Sequence, residues 1–389
     1  MKIAFVTTNE ILGPQNAGDV HCSNRNLNLL KQAFGEENIF VCAITRNKEY
    51  LSKKAKNVVG CLSGRSRKPY SMKNGIAALC GRESFDKKAE TAILKSIIKF
   101  CCDAVFFDDS LMGNLPNLLP KEMKQILFAH NVEIDNVKRR PRKRLLNLLL
   151  LLPTKISESK TIEKADFIIS LNNRDATLLK KHYGRDVDLI LPITFDDYFV
   201  EPIECQILAT EEKYDQSPLK LLFLSTLFMA TEHGISWFVS NIMPHVNAEL
   251  IIVGRDFERL SNKLERENVK VIGTVNEVPP YYFSVDAVVS PIFSGGGMKV
   301  KTAEALMYGK TMFATDEALE GYEVEGLENI YRCNSALEFI ASINNYANKK
   351  PYIRFDSNIR SRFLEKYHTP KYVPIIKEMV REFSTPSNS

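Results

Sequence analysis

The sequence predicts an α/β protein of two doubly wound, Rossmann-like domains facing across a cleft. Three observations carry this. Short apolar runs alternate with amphipathic stretches along the whole chain, the pattern of parallel strands joined by crossover helices. The alternation stops over a polar, acidic, aperiodic stretch from Thr194 to Pro218 and restarts at Leu219. With 389 residues, 44% hydrophobic and 25% charged, the chain is large enough for two soluble domains with separate cores. The expected divisions are 1–195 for the first domain, 196–218 for a linker, 219–370 for the second domain, and 371–389 for a closing helix and tail that crosses back to the first.

Composition removes several function classes. A net charge of +5 is too small to argue for nucleic acid and suits anionic partners only weakly. The eight cysteines form no C-x-x-C pair and have no histidine at zinc-ligand spacing, so they read as thiols of a reducing compartment, and no metal is expected. The first residues lack the long apolar segment of a signal peptide, and no apolar run approaches the ~20 residues of a membrane span. A cytoplasmic protein is expected.

In the first half, Ile3–Thr8 is a buried opening strand. The polar loop Leu12–His21 that follows does not fit G-x-G-x-x-G, which speaks against a nicotinamide or flavin site. A helix near Ser23 and a strand at Ile39–Thr45 come next. Arg65, Arg67, Lys68 and Lys73 suggest a basic loop, more readily a solvated face than a site. Strands at Ala104–Asp108 and Gln125–Ala129 follow, and the second runs into His130-Asn131-Val132-Glu133. Polar residues leaving an apolar strand at its carboxyl end stand where open α/β sheets bind ligands. Six of the eight residues Val137–Arg144 are basic, and Leu145–Leu152 follows. This reads either as a buried helix with a charged lead-in or as an interfacial helix over 138–152 on an anionic membrane surface. Strands at Ala165–Leu171 and Asp188–Pro192 close the domain.

The second half opens with the strand Leu219–Ser225 and continues with Glu249–Gly254, ending at Arg255, a candidate clamp for a diphosphate. The most informative stretch is Ser290-Pro291-Ile292-Phe293-Ser294-Gly295-Gly296-Gly297-Met298-Lys299-Val300-Lys301-Thr302-Ala303-Glu304. A strand, three glycines and then a helix closed by Gly309 leave backbone amides at a helix N-terminus, suited to a phosphate. Lys299 and Lys301 add positive charge, and Glu304 lies one turn on from Lys301. Ser335 reads as an N-cap.

Together with Glu304-Ala305-Leu306-Met307-Tyr308-Gly309, Thr315 and Glu320-Gly321, this segment resembles the donor-binding segment of GT-B glycosyltransferases of the group-1, family-4 type. The resemblance covers both halves and is strongest from Leu222 to Tyr322. It implies a retaining, metal-independent hexosyltransferase that moves a sugar from a nucleotide-sugar donor to a glycan or lipid-linked acceptor in surface polysaccharide biosynthesis. It gives the donor diphosphate to Gly295, Gly296 and Gly297 with Lys299, Lys301 and Arg255, and the ribose to Glu304. The sugar goes to His130, with the loop Gly13–His21 opposite it and Gly18 among the donor-binding residues. It also makes contact with the inner face of the cell membrane a sensible role for 138–152. The chain departs from the family pattern twice. Gly296 stands where many members carry a glutamate, and Ser225-Thr226-Leu227-Phe228 replaces an Arg and Lys after the first strand of the second domain. The rival functions are a non-catalytic subunit that binds sugar nucleotide or a partner protein, and a sugar-nucleotide epimerase of the same fold.

Overall fold

The computed structural model describes residues 1–13, 18–45, 49, 57–62, 87–138, 144–199 and 218–382. The loop residues 14–17, the basic residues 65–73 and 139–143, most of the expected linker and the tail from 383 lie outside them. The chain divides into two units, residues 1–192 with 369–389, and residues 193–368.

The first unit is built on a seven-stranded, all-parallel sheet. Its strands are β1 (Ile3–Thr7), β2 (Ile39–Thr45), β3 (Val58–Leu62), β4 (Ala104–Phe107), β5 (Lys124–Ala129), β6 (Phe167–Ser170) and β7 (Leu189–Ile190), in the order β3-β2-β1-β4-β5-β6-β7. The chain moves outward through β2 and β3, then crosses to the other side of β1. Residues at the carboxyl ends of β1 and β4 therefore flank the point where the winding reverses. Strands β1, β2 and β4 are buried along their whole length, as the apolar runs predict for a sheet covered on both faces. Phe5 and Phe106, opposite each other in β1 and β4, stack at 5.6 Å, and Phe106 stacks on Phe128 of β5 at 6.4 Å. This aromatic row braces the end of the sheet from which His130 emerges.

The helix Tyr372–Glu382 packs on the helix Gly18–Phe34. Tyr372, Ile376 and Met379 are buried at helical spacing, so an apolar stripe fixes the end of the chain to the first unit.

The second unit holds six parallel strands: β8 (Leu219–Leu224), β9 (Ala248–Val253), β10 (Val269–Gly273), β11 (Ala287–Ser290), β12 (Thr311–Ala314) and β13 (Ile330–Arg332). Their order, β10-β9-β8-β11-β12-β13, reverses between β8 and β11 in the same way. Residues 194–199, which include the start of the expected linker, are integrated into this unit. Phe195 bridges to His368, and Phe199 stacks on Phe355 at 5.5 Å while the Arg360 guanidinium lies over its ring. Ser335 caps the helix Ala336–Ala347 in a reciprocal box with Glu338.

Candidate active site

In the second unit, the carboxyl ends of β9, β8 and β11 lie side by side. They present Arg255, Ser225 and the glycine turn on one sheet edge. The turn is more open than a helix start. Gly295 has φ 153° and Gly297 has φ 60°, conformations that side chains resist, and Lys299 is extended. The helix therefore begins only at Val300, three residues after the last glycine. The amides of Gly295, Gly296 and Gly297 donate to no acceptor among the described residues. Three adjacent N–H groups with no protein partner form a donor cluster for an anion.

The two lysines divide the work. Lys299 Nζ donates to the Gly297 carbonyl at 2.9 Å and to Glu317 at 2.8 Å, so its charge is matched and it braces the turn. The Tyr322 hydroxyl donates to the Lys299 carbonyl at 2.7 Å, a second brace. Lys301 Nζ lies 2.6 Å from Glu304 Oε2 and remains more than a third exposed. Among the described residues Arg255 has only a long contact, 3.8 Å, to Asp256, and its buried Nε has no hydrogen-bond partner. Glu304 is buried and fully engaged. Tyr198 donates to Oε1 at 2.9 Å, and Tyr282 donates to Oε2 at 3.2 Å beside Lys301. Burial, then the Glu304 charge, raises both phenols far above their usual range, so both are fixed as donors. Tyr282 stacks on Tyr308 at 4.3 Å, which holds its hydroxyl on the carboxylate. Neither tyrosine was evident from the sequence, since they lie 106 and 22 residues from Glu304.

The first unit gathers a buried polar cluster where its winding reverses. Asp108, at the end of β4, accepts from Thr7 at 2.9 Å and from Asn26 at 2.7 Å. His130 Nε2 lies 3.1 Å from Asp108 Oδ1, an ion-pair distance whose alignment falls short of a hydrogen bond. The imidazole meets Phe128 edge-on at 4.9 Å and neighbours Cys22, on the helix that Gly18 opens. Burial pulls the His130 pKa down, but Asp108 and then Cys22 outweigh it and hold the ring protonated well above its usual range. His130 and Gly18 thus belong to the first unit, and the remaining seven predicted residues belong to the second.

Behind His130, Glu158 accepts from the amides of Glu133 (2.8 Å) and Ile134 (3.2 Å), from Ser110 (3.0 Å) and from the Tyr183 hydroxyl. It caps the helix Glu133–Lys138. Burial pushes its carboxyl up to about 7 from 4.5, Tyr183 opposes this, and the neighbouring Glu133 adds to it. Because the folded value is raised, the stabilisation is complete below pH 4.5 and is lost as pH rises to 7. Glu158 should therefore contribute a loss of about 3 kcal/mol over that window. Denaturant titrations of the first unit at pH 5 and 7.5 should show it in the native chain and not in Glu158→Gln.

Residues 218–348 match the family described as glycosyl transferases group 1. No curated protein matches the chain in sequence. Solved structures of similar fold include sucrose-phosphate synthase from Thermosynechococcus elongatus, with TM-score 0.70, 13% identity and 98% of each chain covered. Another is HepE of Anabaena in complex with UDP, with TM-score 0.66, 14% identity, and 98% of this chain and 100% of that one covered. A third is a glycosyltransferase from Rickettsia africae, with TM-score 0.63, 14% identity, and 100% and 99% covered. At these identities the likeness is one of fold. The resemblance read from Ser290 to Tyr322 falls inside the matched span. The chain has the GT-B fold, and its residues 218–348 match the model of the glycosyl transferases group 1 family.

Proposed function

We propose that the chain transfers a sugar, with retention, from a nucleotide-sugar donor to a glycan or lipid-linked acceptor in surface polysaccharide synthesis. The observation that carries this is the row of Gly295–Gly297 amides without an acceptor among the described residues, at the sheet end that also presents Arg255 and ahead of the helix that carries Lys301. The donor diphosphate takes those amides. Charge that builds on it as the glycosidic bond breaks is met by donors already oriented toward it, which lowers the barrier. Arg255 and Lys301 supply countercharge, Lys299 shapes the turn, and Glu304 accepts from the ribose hydroxyls. His130 contacts the transferring sugar, Gly18 opens the helix behind it, and the departing phosphate takes the acceptor proton. No metal or cofactor has a part in this reading.

HepE structures with UDP, with UDP and glucose, and with UDP-glucose make uridine donors the first to try. Thermal shift against UDP- and GDP-sugars should give stabilisation by one nucleotide class, followed by sugar transfer in a product assay. Stabilisation without transfer, even in a single turnover, favours the binding-subunit reading. An epimer formed from donor alone favours the epimerase. No stabilisation by any nucleotide sinks the transferase and the epimerase and leaves only a subunit that binds a partner protein.

We also propose that residues 138–152 meet an anionic membrane face. No described helix is long and apolar enough to cross a membrane. Leu148, Leu149 and Leu152 are nonetheless 59–63% exposed on one side of the helix Arg144–Lys164, next to the basic run. Replacing the three with serine should weaken binding to phosphatidylserine vesicles by at least about tenfold. Charge reversal of Arg139, Arg140, Arg142 and Lys143 should abolish it. Unchanged cosedimentation of both variants would remove the membrane from the account.

A further inference from the structure

The cluster around His130 contains a charge problem that its sugar-contacting role leaves unanswered. Arg25 is 5% exposed, and a guanidinium does not deprotonate in a protein. No carboxylate pairs with it among the described residues. Nε and Nη1 have no hydrogen-bond partner, its π face lies over Phe128 at 5.4 Å, and Nη2 points at Cys22 Sγ from 3.3 Å. His130, itself held against Asp108, is the second cation neighbouring that sulfur. A buried cation without an anion is costly, so the group Arg25 aims at is the one that must carry the charge.

We propose that Cys22 is a thiolate beside two cations, and hence a modification site for small peroxides and alkylating electrophiles. The charges of the cluster then balance, with Arg25 and His130 against Asp108 and Cys22. The effect of the surroundings agrees. Burial disfavours the thiolate, but Arg25 first and His130 next outweigh it, and only Asp108 among the neighbouring charges opposes them. Other described cysteines differ. Cys61 is pushed up to about 11 and Cys102 to about 12 by burial without a facing cation strong enough to offset it.

With hydrogen peroxide, the thiolate attacks one oxygen, the S–O bond forms and the O–O bond breaks. Hydroxide leaves and takes a proton to become water. Sulfur is oxidised to sulfenic acid and peroxide is reduced. The product is neutral, so His130 loses one of the two anions that hold it protonated. This inference goes beyond glycosyl transfer and stands whether or not that reading does.

The test is the pH profile of iodoacetamide labelling at each cysteine of the full chain, read by mass spectrometry beside a free cysteine derivative. The free thiol should react on the order of 50-fold faster at pH 8 than at pH 6, following ionisation near pH 8.5. Cys22 should change severalfold less than the free thiol over that range, whatever its absolute rate, because the cations beside it favour the thiolate. Peroxide pretreatment should block its labelling, and dithiothreitol should restore it. Arg25→Gln should bring back a rising profile. A Cys22 profile as steep as the free thiol's, failure of Cys22 to react at any pH, or labelling untouched by peroxide would each overturn the proposal.

Discussion

Glu304→Gln is expected to abolish the stabilisation given by a nucleotide donor and to lower kcat/KM by about 100-fold, the loss of one or two hydrogen bonds to a charged group. The carboxylate receives Tyr198 on one oxygen, and Tyr282 and Lys301 on the other. An amide offers one acceptor oxygen and turns two N–H donors toward groups that are themselves donors. It also leaves Lys301 without its ion partner. The fold should survive, because the two tyrosines are packed by rings as well as by hydroxyls: Tyr282 on Tyr308 at 4.3 Å, and Tyr198 edge-on to Phe195 at 6.3 Å. Tyr198→Phe separates two roles. Tyr198 is 44% exposed, whereas Tyr282 is fully buried, so Tyr198 is the donor a ribose hydroxyl can replace. Removing its hydroxyl frees Oε1, and donor affinity should stay within about threefold. A loss as large as that of Glu304→Gln would make Tyr198 the substrate contact and refute the ribose role of Glu304.

Much of this architecture was legible before any coordinates. The buried runs of β1, β4, β5, β8 and β11 announce parallel strands because both faces of such a sheet are covered. Gly309, at φ 57°, ends its helix as its place in the sequence suggests. Strand β3 escaped because Val58-Val59-Gly60-Cys61-Leu62 is short, contains a glycine and sits at the sheet edge, where only pairing with β2 defines it. The helix after the glycines begins at Val300, the first residue of its apolar period, while the left-handed Gly297 and the extended Lys299 before it are dihedral angles that composition does not carry.

Side-chain constellations divide in the same way. His130 stood out because a polar residue leaving an apolar strand is conspicuous. Cys22 reads as one more core thiol and Asp108 as the last residue of a strand, and only the fold brings them to the imidazole. Lys299 looked like a phosphate ligand because its charge is visible in sequence, while Glu317, which matches that charge, lies 18 residues away. The exposed Leu148, Leu149 and Leu152 belong to a run that periodicity alone could not assign to core or surface.

The largest loss of stability is expected from Gly254→Ala. A Cβ on Gly254 would lie 1.5 Å from the Ser225 carbonyl oxygen and 2.7 Å from its carbon, both backbone atoms. No rotamer change relieves that clash, so β8 and β9 must part at their carboxyl ends. Those ends are tied by Ser225 N–H to Val253 O at 3.1 Å and Leu227 N–H to Arg255 O at 3.0 Å, while Gly254 N–H to Gly273 O at 2.7 Å ties β9 to β10. The φ of 140° adds strain of roughly 1–3 kcal/mol to an overpacking cost of about the same size, so a loss of about 3–5 kcal/mol is expected in the unfolding of the second unit. Gly184→Ala is the control: at φ 69° it has nothing within 4 Å of the new carbon, and about 1 kcal/mol is expected, confined to the first unit. Gly234→Ala isolates the steric part, since its φ is ordinary while its Cβ would sit 1.9 Å from the Pro291 carbonyl oxygen. It should push the helix Met229–Asn241 off the segment that leads into Gly295, weakening nucleotide binding more than its cost in stability accounts for. Equal stability of the Gly254 and Gly184 variants by denaturant titration would show that β8 and β9 have room to separate. Arg255 and the glycine turn would then owe their positions to something other than the close approach of these strand ends.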